Sequence, residues 1–302
     1  MPLAACVLAC LLLAWWLWTP DEDRSLLESK YLLAPSDMMQ VGGWRLHVRD
    51  SGPRDAPALI LIHGFGASLQ SWDAWAEGLG RKHRMIRFDL PGSGLSLPDP
   101  AADYTDARSV ELLLALMDRL ALRRASIAGH SIGGRIAWTF AATHPERVDR
   151  LVLVAPDGFA SPGFEYGKAP EVPSALGVMR YVLPRPLLRM NLRAAYADQA
   201  FLSDALLDRY YDLIRAPGAR QAMLDRMRQT VLVDPQPLLA AIRAPTLLVW
   251  GEHDAMIPFA NSADYLKALP DARLVSFLNA GHLPQEEAAA DSLAAVEAFL
   301  DR

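Results

Sequence analysis

Beyond residue 36 the hydrophobic positions fall into short continuous runs, separated by longer stretches in which apolar residues recur every three or four places. The runs at 44–49, 58–62, 85–88, 125–128, 151–154, 246–250 and 274–277 are aliphatic and β-branched and predict strands. Two, Ala58-Leu59-Ile60-Leu61-Ile62 and Leu151-Val152-Leu153-Val154, are apolar at every position and four more carry a single polar residue, which suits strands covered on both faces of a parallel sheet. The stretches 106–122, 132–143, 261–269 and 286–300 carry helical periodicity. Strand and helix alternating in this order predict an α/β fold with a mostly parallel, doubly wound sheet. At Val41-Gly42-Gly43-Trp44 two glycines interrupt apolar residues, which predicts a tight hairpin and an antiparallel pair ahead of the parallel part.

Two segments break the alternation. Between the strands ending near 154 and beginning near 246, residues 157–241 are helical and Pro-rich, with Met179, Leu187, Leu188, Met190, Leu207, Tyr211 and Ile214 among the apolar positions. A structureless loop of that length is improbable, so an inserted helical subdomain is expected. The second is the N-terminus. Residues 3–18 contain no charged or polar side chain, and Asp21, Glu22 and Asp23 follow shortly. Sixteen residues of helix span about 24 Å, against about 30 Å of bilayer hydrocarbon. No small-x-small cleavage site follows, and Trp15, Trp16 and Trp18 gather at one end, where indoles favour a membrane interface. Residues 1–20 are therefore expected to be an uncleaved, signal-like anchor helix, and 21–36 a polar linker.

Composition narrows the function classes. The 302 residues are 52% hydrophobic and 22% charged, with 30 Lys+Arg against 35 Asp+Glu and a net charge of −5. A mildly acidic chain with scattered arginines lacks the footprint of a nucleic-acid binder. Both cysteines, Cys6 and Cys10, lie in the apolar N-terminal run, so neither a disulfide framework nor a Cys-based zinc or redox site is expected in the folded part.

The chemistry concentrates in Ala125-Ser126-Ile127-Ala128-Gly129-His130-Ser131-Ile132-Gly133-Gly134, a strand, a sharp turn and the start of a helix. A hydroxyl projecting from such a turn needs neighbours without bulk, which Gly129 and Gly133 supply around Ser131. The helix N-terminus behind it places positive partial charge where an oxyanion would develop. In this context Gly-x-Ser-x-Gly resembles the nucleophile elbow of the α/β-hydrolases, specifically the capped serine esterases and lipases. His63-Gly64-Phe65-Gly66 after the second predicted strand resembles that family's oxyanion loop, and Asp89-Leu90-Pro91-Gly92-Ser93-Gly94-Leu95-Ser96 the turn after the next. The resemblance runs from Val41 to the C-terminus. It implies a core of 37–156 and 242–302, with the insertion at 157–241 as a helical cap.

A serine hydroxyl needs a base and a carboxylate to orient that base. Of seven histidines, His130 adjoins the nucleophile and His63 opens the oxyanion loop; His282, in a loop after the last predicted strand, is best placed as base. For the acid, Asp254 ends a strand in Trp250-Gly251-Glu252-His253-Asp254, with Glu252 and Asp157 as alternatives. The order Ser, acid, His is that of the family. The resemblance further implies backbone N–H donors at Phe65 and Ile132, with His63 and Gly64 supporting the loop and no metal or organic cofactor. A nucleophilic Ser argues against the epoxide hydrolases and haloalkane dehalogenases of the same fold, which carry Asp there. The expectation is a hydrolase of lipophilic carboxylic esters acting through an acyl-enzyme, membrane-anchored with an extracytoplasmic catalytic domain. Its alternatives are a carbon–carbon bond hydrolase of vinylogous diketones and a non-catalytic, membrane-tethered binding protein.

Overall fold

The structure, a computed structural model, describes residues 6–8, 12, 15, 17–160 and 165–302. Eight strands form one sheet in the order β1-β2-β4-β3-β5-β6-β7-β8. They are β1 Met38–Val41, β2 Trp44–Ser51, β3 Ala58–Ile62, β4 Arg84–Phe88, β5 Ala125–His130, β6 Val148–Val154, β7 Thr246–Gly251 and β8 Ala272–Phe277. β1 and β2 form the expected hairpin, Val41 facing Trp44 across Gly42-Gly43, and β2 runs antiparallel to β4. All other pairings are parallel.

Alternation along the central strands explains the two layers. Ile60, Ile62, Ile127, Leu151, Leu153 and Leu248 point to one face. There they meet α3 (Asp106–Arg119), α4 (Ile132–Thr143), α8 (Gln236–Ala240) and α9 (Asn261–Ala268). Leu59, Leu61, Val152, Val154, Leu247 and Val249 point to the other, covered by Trp75 of α2 (Asp73–Leu79) and by Val296 and Phe299 of α11 (Ala289–Leu300). Strands buried on both sides read as unbroken apolar runs, which is why they were visible in the sequence. The C-terminal helical stretch divides into α10 (Pro284–Glu287) and α11, because Ala288 leaves helical geometry between them.

Between β6 and β7 lie a 3₁₀ segment at Ser174–Arg180, α5 (Arg185–Arg193), α6 (Asp204–Ile214), α7 (Ala219–Gln229) and α8. Leu183, Leu188, Tyr196, Leu207, Tyr210 and Ile214 form this insertion's own apolar cluster, which includes Ala67 and Leu283 from the sheet's C-terminal edge.

The stretch 21–36, expected as a linker, carries α1 (Arg24–Tyr31). Asp23 caps it by accepting from the N–H groups of Ser25 and Leu26, and Leu27 packs with Leu95, Leu213, Ala216 and Ala219. Just before it, the backbone is clipped to the insertion. Thr19 N–H donates to Tyr181 O (2.7 Å) and Leu183 N–H to Thr19 Oγ1 (3.2 Å). The buried Arg220 binds Thr19 O (2.7 Å) and Asp21 (2.6 Å), and Arg215 pairs with Glu22 (3.0 Å). The expected anchor helix at 1–20 falls largely outside the described residues; among the described residues no helix is long and apolar enough to cross a membrane.

Candidate active site

Ser131 sits between β5 and α4 with φ 54° and ψ −121°, a backbone region that non-glycine residues rarely enter. The surrounding chain leaves no alternative. A Cβ on Gly129 would stand 2.2 Å from Gly133 O, and one on Gly133 would stand 2.3 Å from Ile62 O. The two glycines thus let three backbone segments meet while the serine is pushed outward. Ser131 N–H donates to Val154 O, and Ser131 O accepts from Arg135 and Asp157 N–H groups, so the strained turn is fixed on both sides.

His282 and Asp254 come together as the sequence predicts. His282 Nδ1–H donates to Asp254 Oδ2 at 2.8 Å in a buried pair. Asp254 Oδ1 accepts from the N–H groups of Met256 and Ile257, both at 2.8 Å, so the carboxylate is aimed by its own loop. With Nδ1 protonated, His282 Nε2 is an acceptor and can act as a base. Asp157, one alternative acid, is bound to Arg135 (2.7 Å); Glu252 accepts from Ser276 Oγ (2.7 Å). Neither is His282's partner.

The loop after β3 is fixed by polar contacts. His63 Nδ1–H donates to Gly64 O (2.8 Å), and its Nε2 accepts from Leu90 N–H (2.9 Å). Both bonds require the neutral Nδ1–H tautomer, and burial holds the His63 pKa below 6.5. Gly64 leaves no room for a side chain, since a Cβ would lie 2.6 Å from His130 Nδ1 and 3.2 Å from Ser131 Cβ. Among the described residues neither the Phe65 nor the Ile132 N–H has a protein acceptor, leaving both available to an oxyanion.

The supporting contacts of two residues named in the motifs escaped the sequence reading. Asp89, fully buried, accepts from Leu69 N–H (2.7 Å), Leu95 N–H (2.9 Å) and His47 Nδ1 (2.8 Å). Gly94 must be glycine because a Cβ there would fall 2.0 Å from Asp89 Oδ2. His130 donates from Nε2 to the backbone O of His282 (2.9 Å), and the two rings lie 4.6 Å apart. Burial, reinforced by the neighbouring His282, drives the His130 pKa well below 6.5, keeping it neutral. The Gly-His-Ser spelling placed His130 beside the nucleophile but carried no sign of this partner.

Ser131, His282, Phe65 and Ile132 line one cavity of about 440 Å³. Its other walls are Phe159, Pro170, Val172, Pro173, Met227, Thr230, Leu232, Met256 and Ile257, with carboxylates at Asp157 and Glu171.

The sequence model of the alpha/beta hydrolase fold family matches residues 57–289. The chain belongs to that family. Among its relatives, 2-hydroxy-6-oxo-6-phenylhexa-2,4-dienoate hydrolase of Comamonas testosteroni is 29% identical, over 81% of this chain and 87% of that one. The solved structure of a protein named a putative lipase, from Acinetobacter baumannii, superposes with a TM-score of 0.76 at 26% identity, covering 93% of this chain and 97% of the other. A bacterial membrane phospholipase A superposes with 0.75 at 27% identity, over 92% and 91%. The chain is thus similar both to a dienoate hydrolase and to a phospholipase.

Proposed function

We propose that this hydrolase cleaves neutral, lipophilic carboxylic esters through Ser131, His282 and Asp254. His282 Nε2 takes the Ser131 proton as Oγ attacks the ester carbonyl, and the Phe65 and Ile132 N–H groups receive the oxyanion. The imidazolium, held by Asp254, protonates the departing alcohol. Water, deprotonated by His282, then releases the acid and restores Ser131.

The observation that carries this reading is the lining of the cavity: mostly apolar, with no Lys or Arg among the described wall residues and two carboxylates, Asp157 and Glu171, in its walls. Such a site favours an uncharged acyl chain and disfavours an anion, whose burial without a cationic partner is costly. The second reading, a carbon–carbon bond hydrolase, is favoured by the Comamonas relative, whose named substrate is a dienoate. A dienoate carries a carboxylate, and the walls offer it no cation.

We further propose that residues 3–18 hold the enzyme at a membrane, with the catalytic domain outside the cytoplasm. This rests on the uninterrupted apolar run and its terminal tryptophans.

A panel of p-nitrophenyl esters of increasing chain length, run beside the phenyl dienoate with Ser131→Ala as control, tests the assignment. Serine-dependent turnover rising from short to medium chains is expected. Turnover of the dienoate alone would transfer the assignment to the second reading.

A further inference from the structure

The 3₁₀ segment and α5 expose an unusual run of apolar side chains. Val178 is 55% exposed, Tyr181 46%, Leu187 46% and Met190 61%. Leu187 and Met190 lie three residues apart and so share one face of α5, whose opposite side buries Leu188. Trp18, itself 55% exposed, stacks on Tyr181 with ring centroids 5.5 Å apart and bridges to Val182. The apolar N-terminal run therefore ends on this face, secured by the Thr19 and Asp21 contacts to Tyr181, Leu183 and Arg220.

Charge points the same way. Residues 174–193 contain Arg180, Arg185, Arg189 and Arg193 and no Asp or Glu, in a chain whose net charge is −5. Arg185 and Arg189 pair with Asp208 and Asp204 of α6, while Arg180 and Arg193 have no ion-pair partner among the described residues. Exposed aromatic and aliphatic side chains beside uncompensated arginines match the chemistry of an anionic bilayer interface.

We propose that the face formed by Trp18, Val178, Tyr181, Leu187 and Met190 docks on an anionic phospholipid surface, so that the insertion rather than the sheet meets the bilayer. The proposal rests on reading residues 3–18 as a membrane segment. Held in this way, the insertion that supplies Pro170, Val172, Pro173 and Met227 to the walls of the Ser131 cavity lies against the phase in which a lipophilic ester is dissolved.

The test uses the full chain carrying Cys6→Ser and Cys10→Ser. A single new cysteine, Leu187→Cys, Met190→Cys or, as control, Lys267→Cys, is labelled with an environment-sensitive nitrobenzoxadiazole dye. The protein is mixed with phosphatidylcholine vesicles with or without phosphatidylglycerol. Blue-shifted emission at 187 and 190 that doxyl lipids quench, stronger with phosphatidylglycerol and absent at 267, is expected. Flotation with the vesicles while 187 and 190 keep aqueous emission would overturn the proposal and leave the membrane segment standing. A shift that doxyl lipids do not quench and that grows with protein concentration would overturn it in favour of a second copy of this chain. Failure to float at all would overturn both. A functional arm uses Leu187→Glu with Met190→Glu. Turnover of a vesicle-borne long-chain ester is expected to fall about tenfold, with turnover of a soluble short-chain ester unchanged. Equal rates for variant and wild type on both esters would count against docking. If the wild type cleaves neither ester, the esterase reading fails, and the dye emission alone decides the docking surface.

Discussion

Ser131 owes its backbone geometry to the glycines beside it, with backbone bonds to Val154 and Asp157 closing the turn, whereas His282 is held by residues from three other segments and by Glu287 of its own. Around Ser131 the determinants are Gly129 and Gly133, two residues to either side, and the close backbone approach they permit. Around His282, Asp254 takes the ring N–H, His130 takes the carbonyl, Ala195 O accepts the backbone N–H (2.8 Å), and Glu287 accepts from Gly281 N–H (2.6 Å). The elbow thus depends first on a steric condition written within five residues, while the base is positioned mainly by long-range polar contacts, one of them from the insertion. The first is expected to tolerate almost no change, the second to degrade by steps.

Ser131→Ala gives the largest effect. Ester hydrolysis should fall about 10⁶-fold with the melting temperature unchanged, and a fluorophosphonate probe should no longer label the protein. Labelling equal to wild type would show that the elbow is not the reacting centre.

On the base side, Asp254→Asn should reduce kcat about 10⁴-fold by stabilising the wrong His282 tautomer. Asp157→Asn, which alters an ion pair with Arg135 and one cavity wall but leaves the His282–Asp254 pair in place, should cost less than about tenfold. Comparable losses would mean that the observed Asp254 contact does not select the acid.

His130→Phe keeps the ring and removes the donor to His282 O. A drop of about tenfold in kcat with KM nearly unchanged is expected, with partial recovery in His130→Gln. Equal losses in kcat and KM for both variants would mark His130 as packing alone.

The smallest effect concerns pH. His63 and His130 both have folded-state pKa values below 6.5, so the unfolded chain binds protons that the folded chain refuses. Stability should therefore be flat in these groups above about pH 6.5 and fall below it, by up to about 1.4 kcal/mol per pH unit for each histidine. Glu286 and Glu287, pushed upward by burial, act in the opposite sense in more acid solution. Comparing the pH dependence of denaturant unfolding for wild type and His130→Phe isolates one histidine; an unchanged slope would show that His130 binds its proton equally in the folded and unfolded chain.

The same contrast governs what could be read from sequence. β3 and α4 occupy the predicted residues because a doubly buried strand and a helix opening at a glycine-rich turn write continuous local patterns. Asp254 and His282 were legible through their order and through the strands they follow. The α1 helix was missed because it is polar and buries Leu27 alone, leaving its Asp23 cap as the only local signal. β1 was visible only through its hairpin turn, and α2 is too short for its periodicity to stand out. Asp89, His130 and the Thr19 clip lay beyond reach for another reason. Their partners are separated from them by tens to hundreds of residues, and no periodicity encodes such a pairing.

Asp89 also bears on how such an enzyme can be altered. One carboxylate terminates the turn at Leu95, the helical turn beginning at Leu69 and the ring of His47, while the adjacent Leu90 N–H fixes His63. These loops consequently form a single inheritable module. Transplanting the His63–Gly66 loop into a related scaffold without the segment from Asp89 to Ser96 would bring the donors without their anchorage. A workable chimera has to cross over before β2, which carries His47, and after Ser96, a boundary set by hydrogen bonds rather than by the edges of secondary structure.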